Sequence, residues 1–360
     1  MTARGARTAL SLLLVAAGAT FVPLLFLAAD DANALGFDLV HACLDAADRV
    51  IHGESPYTPP EQWAALDTVG YVYPPLTAFL TAPLLLVSAN AAGWAGAAIC
   101  LAAVLGAALL VGVRDLRCHA LIVLSAPTVF AVHDANISAL VCLLAALTWR
   151  LRTQGWWAAG SAVALKLFAW PLVVWLAFTR GLRHATLALV LALTVTIVTW
   201  GAIGFAGLTG YPDLLARLTE FEEGRTYGIS SLGIPLDGPI ALALGAAALW
   251  AAWKVRRDEI GALAFCLAAA LAVSPIVWIH YFVLLVVPLG LRRPTLSPSW
   301  FLLLAFWLLP GTNPPDVLDR VVAYSVVGGL LVWTGLGAPV PSRLRWRARK
   351  GVLDPATVDG

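Results

Sequence analysis

Apolar runs of roughly 15–22 residues recur along almost the whole chain. They fall at about 8–29, 74–88, 91–112, 119–133, 136–150, 156–179, 184–206, 237–254, 259–274, 276–291, 298–310 and 318–336. A helix needs about 20 apolar residues to cross a hydrocarbon core of ~30 Å. In that solvent every backbone N–H and C=O must be bonded within its own segment, which leaves helices as the economical solution. The pattern predicts an all-α polytopic membrane protein with about 10–12 transmembrane helices. Composition agrees: 12% of residues are charged, against roughly 25% in a soluble domain, and the mean hydropathy is +0.84. Fifteen Trp and 22 Pro suit interfacial belts and membrane helices.

The net charge of +2 is too small to point to nucleic acid. The basic residues cluster instead, at Arg4/Arg7, Arg114/Arg117, Arg180/Arg183, Lys254/Arg256/Arg257, Arg292/Arg293 and the tail "SRLRWRARK". Lys and Arg gather on the cytoplasmic side of spans. Arg4 and Arg7 therefore put the N-terminus inside and the connection 30–73 outside. That loop carries Asp30, Asp31, Asp38, Asp45, Asp48, Glu54, Glu61 and Asp67 against Arg49. Counting back from the tail puts the clusters at 292, 254 and 180 inside and loop 207–236 outside. Arg114/Arg117 and Arg150/Arg152 resist this scheme, because they land outside if every run crosses. One resolution makes 156–179 a hairpin of two half-length helices broken near Lys166. The sequence leaves the parity between 113 and 180 open.

Residues 1–340 read as one transmembrane domain and 341–360 as a basic cytoplasmic tail. The run Thr8 to Ala29 follows two arginines, as a signal peptide would. It exceeds the 7–15 residues of a typical signal core, so it is expected to stay as the first span. No inverted repeat of the transporter kind is visible. Cys43, Cys100, Cys118, Cys142 and Cys266 form no CxxC pair and read as small core residues.

The charged first loop contains "GFDLVHACLDAADRVIHGESPYTPP", with four carboxylates and two histidines between Asp38 and Glu54. As a helix it places Asp38, His41, Asp45, Asp48 and His52 on one face and Leu39, Val40, Cys43, Ala47, Val50 and Ile51 on the other. Gly53 and "SPYTPP" end it. Three readings stay open: a solvated face with i,i+4 pairs His41–Asp45 and Asp48–His52, a divalent-metal site, or general-base chemistry with Asp38 best placed. Tyr71 and Tyr73 read as interfacial anchors before the Pro74-Pro75 helix start. In the second loop Leu214, Leu215, Leu218 and Phe221 mark another amphipathic helix. The two loops together are expected to roof a cavity.

Ionisable groups inside spans call for a functional hypothesis. "FAVHDANISAL" holds His133, Asp134 and Asn136. "GSAVALKLFAWP" holds Lys166, which either snorkels or neutralises an anionic headgroup. "AVSPIVWIHYFV" holds Trp278, His280 and Tyr281, with His280 either a satisfied core residue or a ligand for phosphate or sugar.

These elements, in this order, resemble glycosyltransferase family 87 of the C-type (GT-C) superfamily, over roughly residues 30–295. The carrying segments are "FDLVHA…IHGESPYTP", "YVYPPLTAFLTAPLLL", the stretch from His133 to Phe178, "GISSLGIP" and "SPIVWIHYFVLLVVPL". The resemblance implies a GT-C fold and an inverting transfer from a polyprenyl-phosphate sugar, mannose first, to a glycolipid or lipoglycan acceptor. It implies work at the extracytoplasmic face of a bacterial plasma membrane, with both termini cytoplasmic. It gives Asp38 the role of general base, matches Ser274, Pro275, Trp278 and His280 to an SP-x-x-W-x-H segment, and matches Lys166 to an intramembrane lysine. Lys166 and His280, with Arg49, are the expected phosphate partners. His41, Tyr57, Tyr73, His133, Asn136 and Trp278 complete the expected substrate-binding set. Two departures are His133-Asp134-Ala135-Asn136, where the family often reads Gly-Gln-x-Asn, and Gly228–Leu232, where it often reads Asn-Gln-Ser-Leu. No cofactor is expected; no P-loop is present, and a divalent metal stays an open alternative. An arabinofuranosyltransferase of the same family, or a lipid-linked sugar flippase, is the alternative function.

Overall fold

The computed structural model describes residues 3–31, 35–59, 61, 63, 70–222, 226–229, 237–309 and 317–336. The tail at 341–360 and the segment Ser230 to Leu232 lie outside these residues. Among the described residues every regular element is helical, as the apolar pattern predicts. Helix α1 is Ala3–Asp31, α2 is Leu44–Ile51, α3 is Pro75–Thr81 and α4 is Ala89–Leu110. Then follow α5 (Leu116–Leu124), α6 (Ala126–His133), α7 (Ser138–Arg150), α8 (Trp156–Leu165) and α9 (Pro171–Arg180). The rest are α10 (Leu182–Ala202), α11 (Tyr211–Phe221), α12 (Asp237–Lys254), α13 (Glu259–Val273), α14 (Val286–Arg292) and α15 (Val317–Leu336).

Far fewer than ten of the described helices are full-length continuous spans. Ser11–Ala28 within α1, α4 and α10 are long and apolar enough, and α5 with α6 adds a fourth candidate bent by 65°. Most other runs fold as shorter apolar helices, because Pro and polar residues break them. Pro127 sits in the first turn of α6, where it cannot donate to continue α5, and Ser125 Oγ turns back to Ile122 O at 2.7 Å. At Lys166 the backbone is extended, a short 3-10 turn follows over Leu167–Ala169, and Pro171 opens α9.

Two runs do not cross from end to end. Arg152 and Arg180, the feet of α8 and α9, both bond Glu259, so the chain enters and leaves at one end with Lys166 between. This arrangement is the hairpin that one resolution of the arginine pattern offered for 156–179. The run 74–88, expected as a span, is a correction. It starts at Tyr73, bonded by Asn136, and ends just before α4, whose Gly93 lies against Leu35 and Gly36. Its middle lies along the first loop, where Thr81 Oγ1 donates to Cys43 O at 3.3 Å.

With both runs turned back, the basic clusters collect. Arg180 holds Glu259 at 2.6 and 2.8 Å, and Arg292 bonds neighbouring Asp258. Asp115 accepts from Leu296 N at 3.0 Å and from Arg117 at 2.7 Å. This basic end lies beyond the C-terminus of α4, and Gly93 and Gly96 near its N-terminus touch the first loop. The 22 residues of α4 separate the two ends by about 30 Å at ~1.5 Å per residue.

The main core packs small residues of α4, α5, α7, α8, α10 and α13 against the 279–291 segment. A second core lies under the loops and joins Leu39, Cys43, Tyr57, Tyr71 and Tyr73 to Tyr211, Leu214 and Leu218. The two loops thus pack on each other, and the five cysteines are free and buried. Docking of the first loop depends on bare glycine. Gly36 has φ +77°, and a Cβ there would stand 2.7 Å from Gly93 Cα. Gly36→Ala is expected to cost about 1–3 kcal/mol, read as a lower melting temperature in detergent; an unchanged value would mean that the loop is not held on α4.

Candidate active site

The residues before α2 form a π-helical turn, Leu39–Cys43. Each residue advances by a smaller angle than in an α-helix, and such turns recur at functional sites. Asp38 and His41, close together in the α-helical reading, therefore diverge. His41 is exposed and packs its ring against that of Phe37 at 4.8 Å, tilted by 50°, whereas Asp38 turns inward to Asn136. The rest of the predicted stripe stays outside. Asp45 pairs with Arg49 at 3.1 Å rather than with His41, and His52 Nδ1 bonds Asp48 O at 2.7 Å. Among the described residues no group of three or more His, Cys, Asp or Glu side chains could hold a metal ion.

Asp38 is seated by backbone bonds between segments 96 and 97 residues apart in sequence. Gly36 N donates to His133 O at 2.6 Å and Asp38 N to Asp134 O at 3.1 Å. Ala135, at φ +49°, makes the tight turn between α6 and α7 that presents these carbonyls. Asn136 is buried and its orientation is fixed, since its Oδ1 accepts from Ser138 N at 2.9 Å. Its Nδ2 then donates both to Asp38 Oδ2 and to the Tyr73 hydroxyl, the latter at 3.1 Å. Asp38 Oδ1 makes no hydrogen bond among the described residues. The Tyr73 hydroxyl, used as an acceptor, keeps its own proton to donate.

Lys166 Nζ is buried and donates to Ser138 Oγ at 2.9 Å. It lies 3.6 Å from the centre of the Tyr281 ring and 5.5 Å from that of Tyr73, an aromatic surround that stabilises a desolvated cation. It does not snorkel. One of its three N–H donors is used, which leaves two for a ligand. Next to this group Asp134 lies between His133 Nδ1 at 2.7 Å and His280 Nδ1 at 3.7 Å. Among the described residues the buried His280 Nε2 has no hydrogen-bond partner, and the half-buried Trp278 packs its ring 5.7 Å from that of His280.

Of the sequence candidates, the fold gathers Asp38, Tyr73, His133, Asn136, Lys166, Trp278 and His280. His41 and Arg49 point away from the group. Tyr57 stands behind it, its hydroxyl on Tyr73 O at 3.2 Å. Sequence reasoning gave no role to Ser138, Tyr281 or Asp134. The Asn136–Ser138 spacing of an Asx turn was the one available signal for Ser138; the Tyr281–Lys166 contact has no local signature.

Desolvation pushes the Asp38 carboxyl up to about 7, and the Asp134 charge adds to it. The Asn136 hydrogen bond, Lys166 and His133 oppose the rise. A carboxylate in that range accepts a proton well near neutral pH.

A helical membrane bundle with such a carboxylate and a buried ammonium in one network has the parts of a membrane glycosyltransferase. The chain belongs to glycosyltransferase family 87, whose model matches residues 71–288. It is similar to the polyprenol-phosphate-mannose-dependent alpha-(1-2)-phosphatidylinositol pentamannoside mannosyltransferase of Mycobacterium tuberculosis (strain CDC 1551 / Oshkosh). The two are 28% identical over 217 residues, 55% of this chain and 46% of that protein. The chain thus spans about half the length of the curated relative it matches. No solved structure matches it.

Proposed function

We propose that the chain transfers a sugar, mannose first among candidates, from a polyprenyl-phosphate donor to a glycolipid or lipoglycan acceptor, with inversion. Asp38 is the general base and Lys166 the cation for the departing phosphate. The observation that carries this reading is the hydrogen-bonded run from Asp38 through Asn136 and Ser138 to Lys166. It holds a proton acceptor and an anion partner in one site, contributed by separate segments.

In this mechanism the acceptor hydroxyl gives its proton to Asp38 Oδ1 while its oxygen bonds the anomeric carbon. The carbon–phosphate oxygen bond breaks, and its electron pair leaves with the polyprenyl phosphate. The two unused N–H groups of Lys166 receive that charge, an interaction stronger in the transition state than before it. Phosphate leaves without a protonating acid, so no second carboxylate is needed in that role, unlike in glycosidases. His280 and Trp278 line the sugar side of the site. The relative's printed mannose donor and phosphatidylinositol mannoside acceptor support this choice of substrates.

The sidedness follows from charge. The basic end of the bundle takes the cytoplasmic side by the positive-inside rule, which gives Asp38 to the extracytoplasmic side, with both termini cytoplasmic. The test is to incubate membranes carrying the chain with labelled polyprenyl-phosphate mannose and a phosphatidylinositol mannoside. Labelled glycolipid with released polyprenyl phosphate is expected; movement of the donor across the bilayer with no new glycosidic bond would overturn the reading. Because Asp38 must be ionised, kcat/KM is expected to rise with pH to a plateau above about 7. A flat profile from about pH 5 to about pH 8 would argue against a carboxylate base of this kind.

A further inference from the structure

Asp134 has no part in the transfer step, yet it ties together three segments of the site. Its carbonyl accepts the N–H of Asp38 at 3.1 Å and of Leu39 at 3.4 Å. Its carboxylate holds His133 on Oδ1 and faces His280 on Oδ2. Two carboxylates sharing one partly buried site repel each other, and keeping a proton on one relieves the cost. The partners decide which one keeps it. Asp134 has two imidazole neighbours, whereas Asp38 has one amide donor and an unfilled Oδ1. The proton therefore rests on Asp38.

We propose that Asp134 is a positioning residue for the base: its carbonyl seats Asp38, and its negative charge sets the pH at which Asp38 takes up a proton. The inference rests on the reading of Asp38 as base. The groups around Asp38 come from every neighbouring element. They are Cys43 on its own helix, Tyr73 before α3, Cys100 on α4, His133 and Asp134 at the α6–α7 turn, Lys166 after α8, and Tyr281. Among the described residues Asp134 is the one carboxylate of this group. Its charge keeps Asp38 a strong enough base to take a hydroxyl proton, and Lys166 and His133 limit the effect.

Dicyclohexylcarbodiimide reacts with protonated carboxyls in apolar sites. Labelling of the Asp38 peptide, followed by mass spectrometry on the full chain in nanodiscs, titrates that residue without any sugar donor. In the wild-type chain, labelling is expected to fall with a midpoint near 7. In Asp134→Asn the midpoint moves down by about one unit, and in Asp134→Glu it returns towards the wild-type value. His133→Gln, which removes an opposing imidazole, moves it up and keeps the test alive should Asp134→Asn not fold. An unmoved midpoint in the variants that fold overturns the proposal. The two readings fail separately. Sugar transfer lost in Asp38→Asn with no shift in Asp134→Asn would sink the tuning role alone, whereas transfer retained in Asp38→Asn would sink the base.

Discussion

Asp38→Asn is expected to lower sugar transfer by about 10³-fold, the scale of a positioned general base, while the protein stays folded. The amide oxygen can still accept from Asn136 Nδ2 and the backbone bonds to His133 and Asp134 are untouched, so the loop keeps its seat. A stability effect accompanies the loss, and its sign is fixed. The folded-state carboxyl titrates at about 7, above its ordinary 3.8. Between those values the folded chain holds a proton that the unfolded chain has released, so wild-type stability falls as pH rises through that window. The neutral amide escapes this penalty. Asp38→Asn is therefore expected to melt higher than wild type near pH 8, by at most about 4 kcal/mol at ~1.36 kcal/mol per unit. The difference should vanish below about pH 4. Transfer measured with labelled donor and thermal unfolding at two pH values check both halves. Full transfer in the variant would remove Asp38 as base, and a melting advantage confined to acid would contradict its burial as a proton-bearing group.

Lys166→Met carries the second large effect. The substitution keeps an unbranched side chain one atom shorter and removes its charge. Transfer is expected to drop by about 10²–10³-fold, the cost of one charge-stabilising donor in a dry site. Stability should hold or rise, because a desolvated ammonium with one hydrogen-bond partner is expensive to bury and the Ser138 hydroxyl can donate elsewhere. Lys166→Arg is not expected to rescue activity. Nζ sits 3.6 Å from the Tyr281 ring as a compact point charge, and a longer planar fork stacked there would place its donors elsewhere. Activity within about threefold of wild type in Lys166→Met would leave the phosphate without its proposed partner. Unfolding of both variants would recast Lys166 as structural.

Much of the site was present in the sequence as isolated anomalies. Lys166 in an apolar run, Asp38 at the head of a charged helix and His133-Asp134-Ala135-Asn136 between two spans each violate the surrounding pattern, and such violations mark function. Their connection was not legible. Asn136 meets Asp38 and Tyr73 over separations of 98 and 63 residues, and no local propensity encodes such pairs. The amphipathic stripe misled in a specific way. A period of 3.6 residues put Asp38 beside His41, and one π-helical turn separated them. His41 was therefore assigned to a site it does not face; Arg49, expected as a phosphate partner beside the resemblance, pairs with Asp45 instead.

The sequence alone determined that this chain is helical and lives in a membrane, because hydropathy and length act locally and hydrocarbon forbids unpaired backbone. It also located the break at Lys166, where a buried charge interrupts an apolar run, but not the one at Ser125 within 119–133, and proline alone does not decide, since Pro23 lies inside α1. Only the tertiary structure decided which runs cross. An apolar segment of given length can traverse a bundle or turn back, and the choice rests on where its two ends are bonded. Asn136 on Tyr73 and Gly93 under the first loop hold both ends of 74–88 beside Asp38, while Glu259 holds both feet of the Lys166 hairpin. Those long-range contacts gather the arginines at one end and set the base at the other.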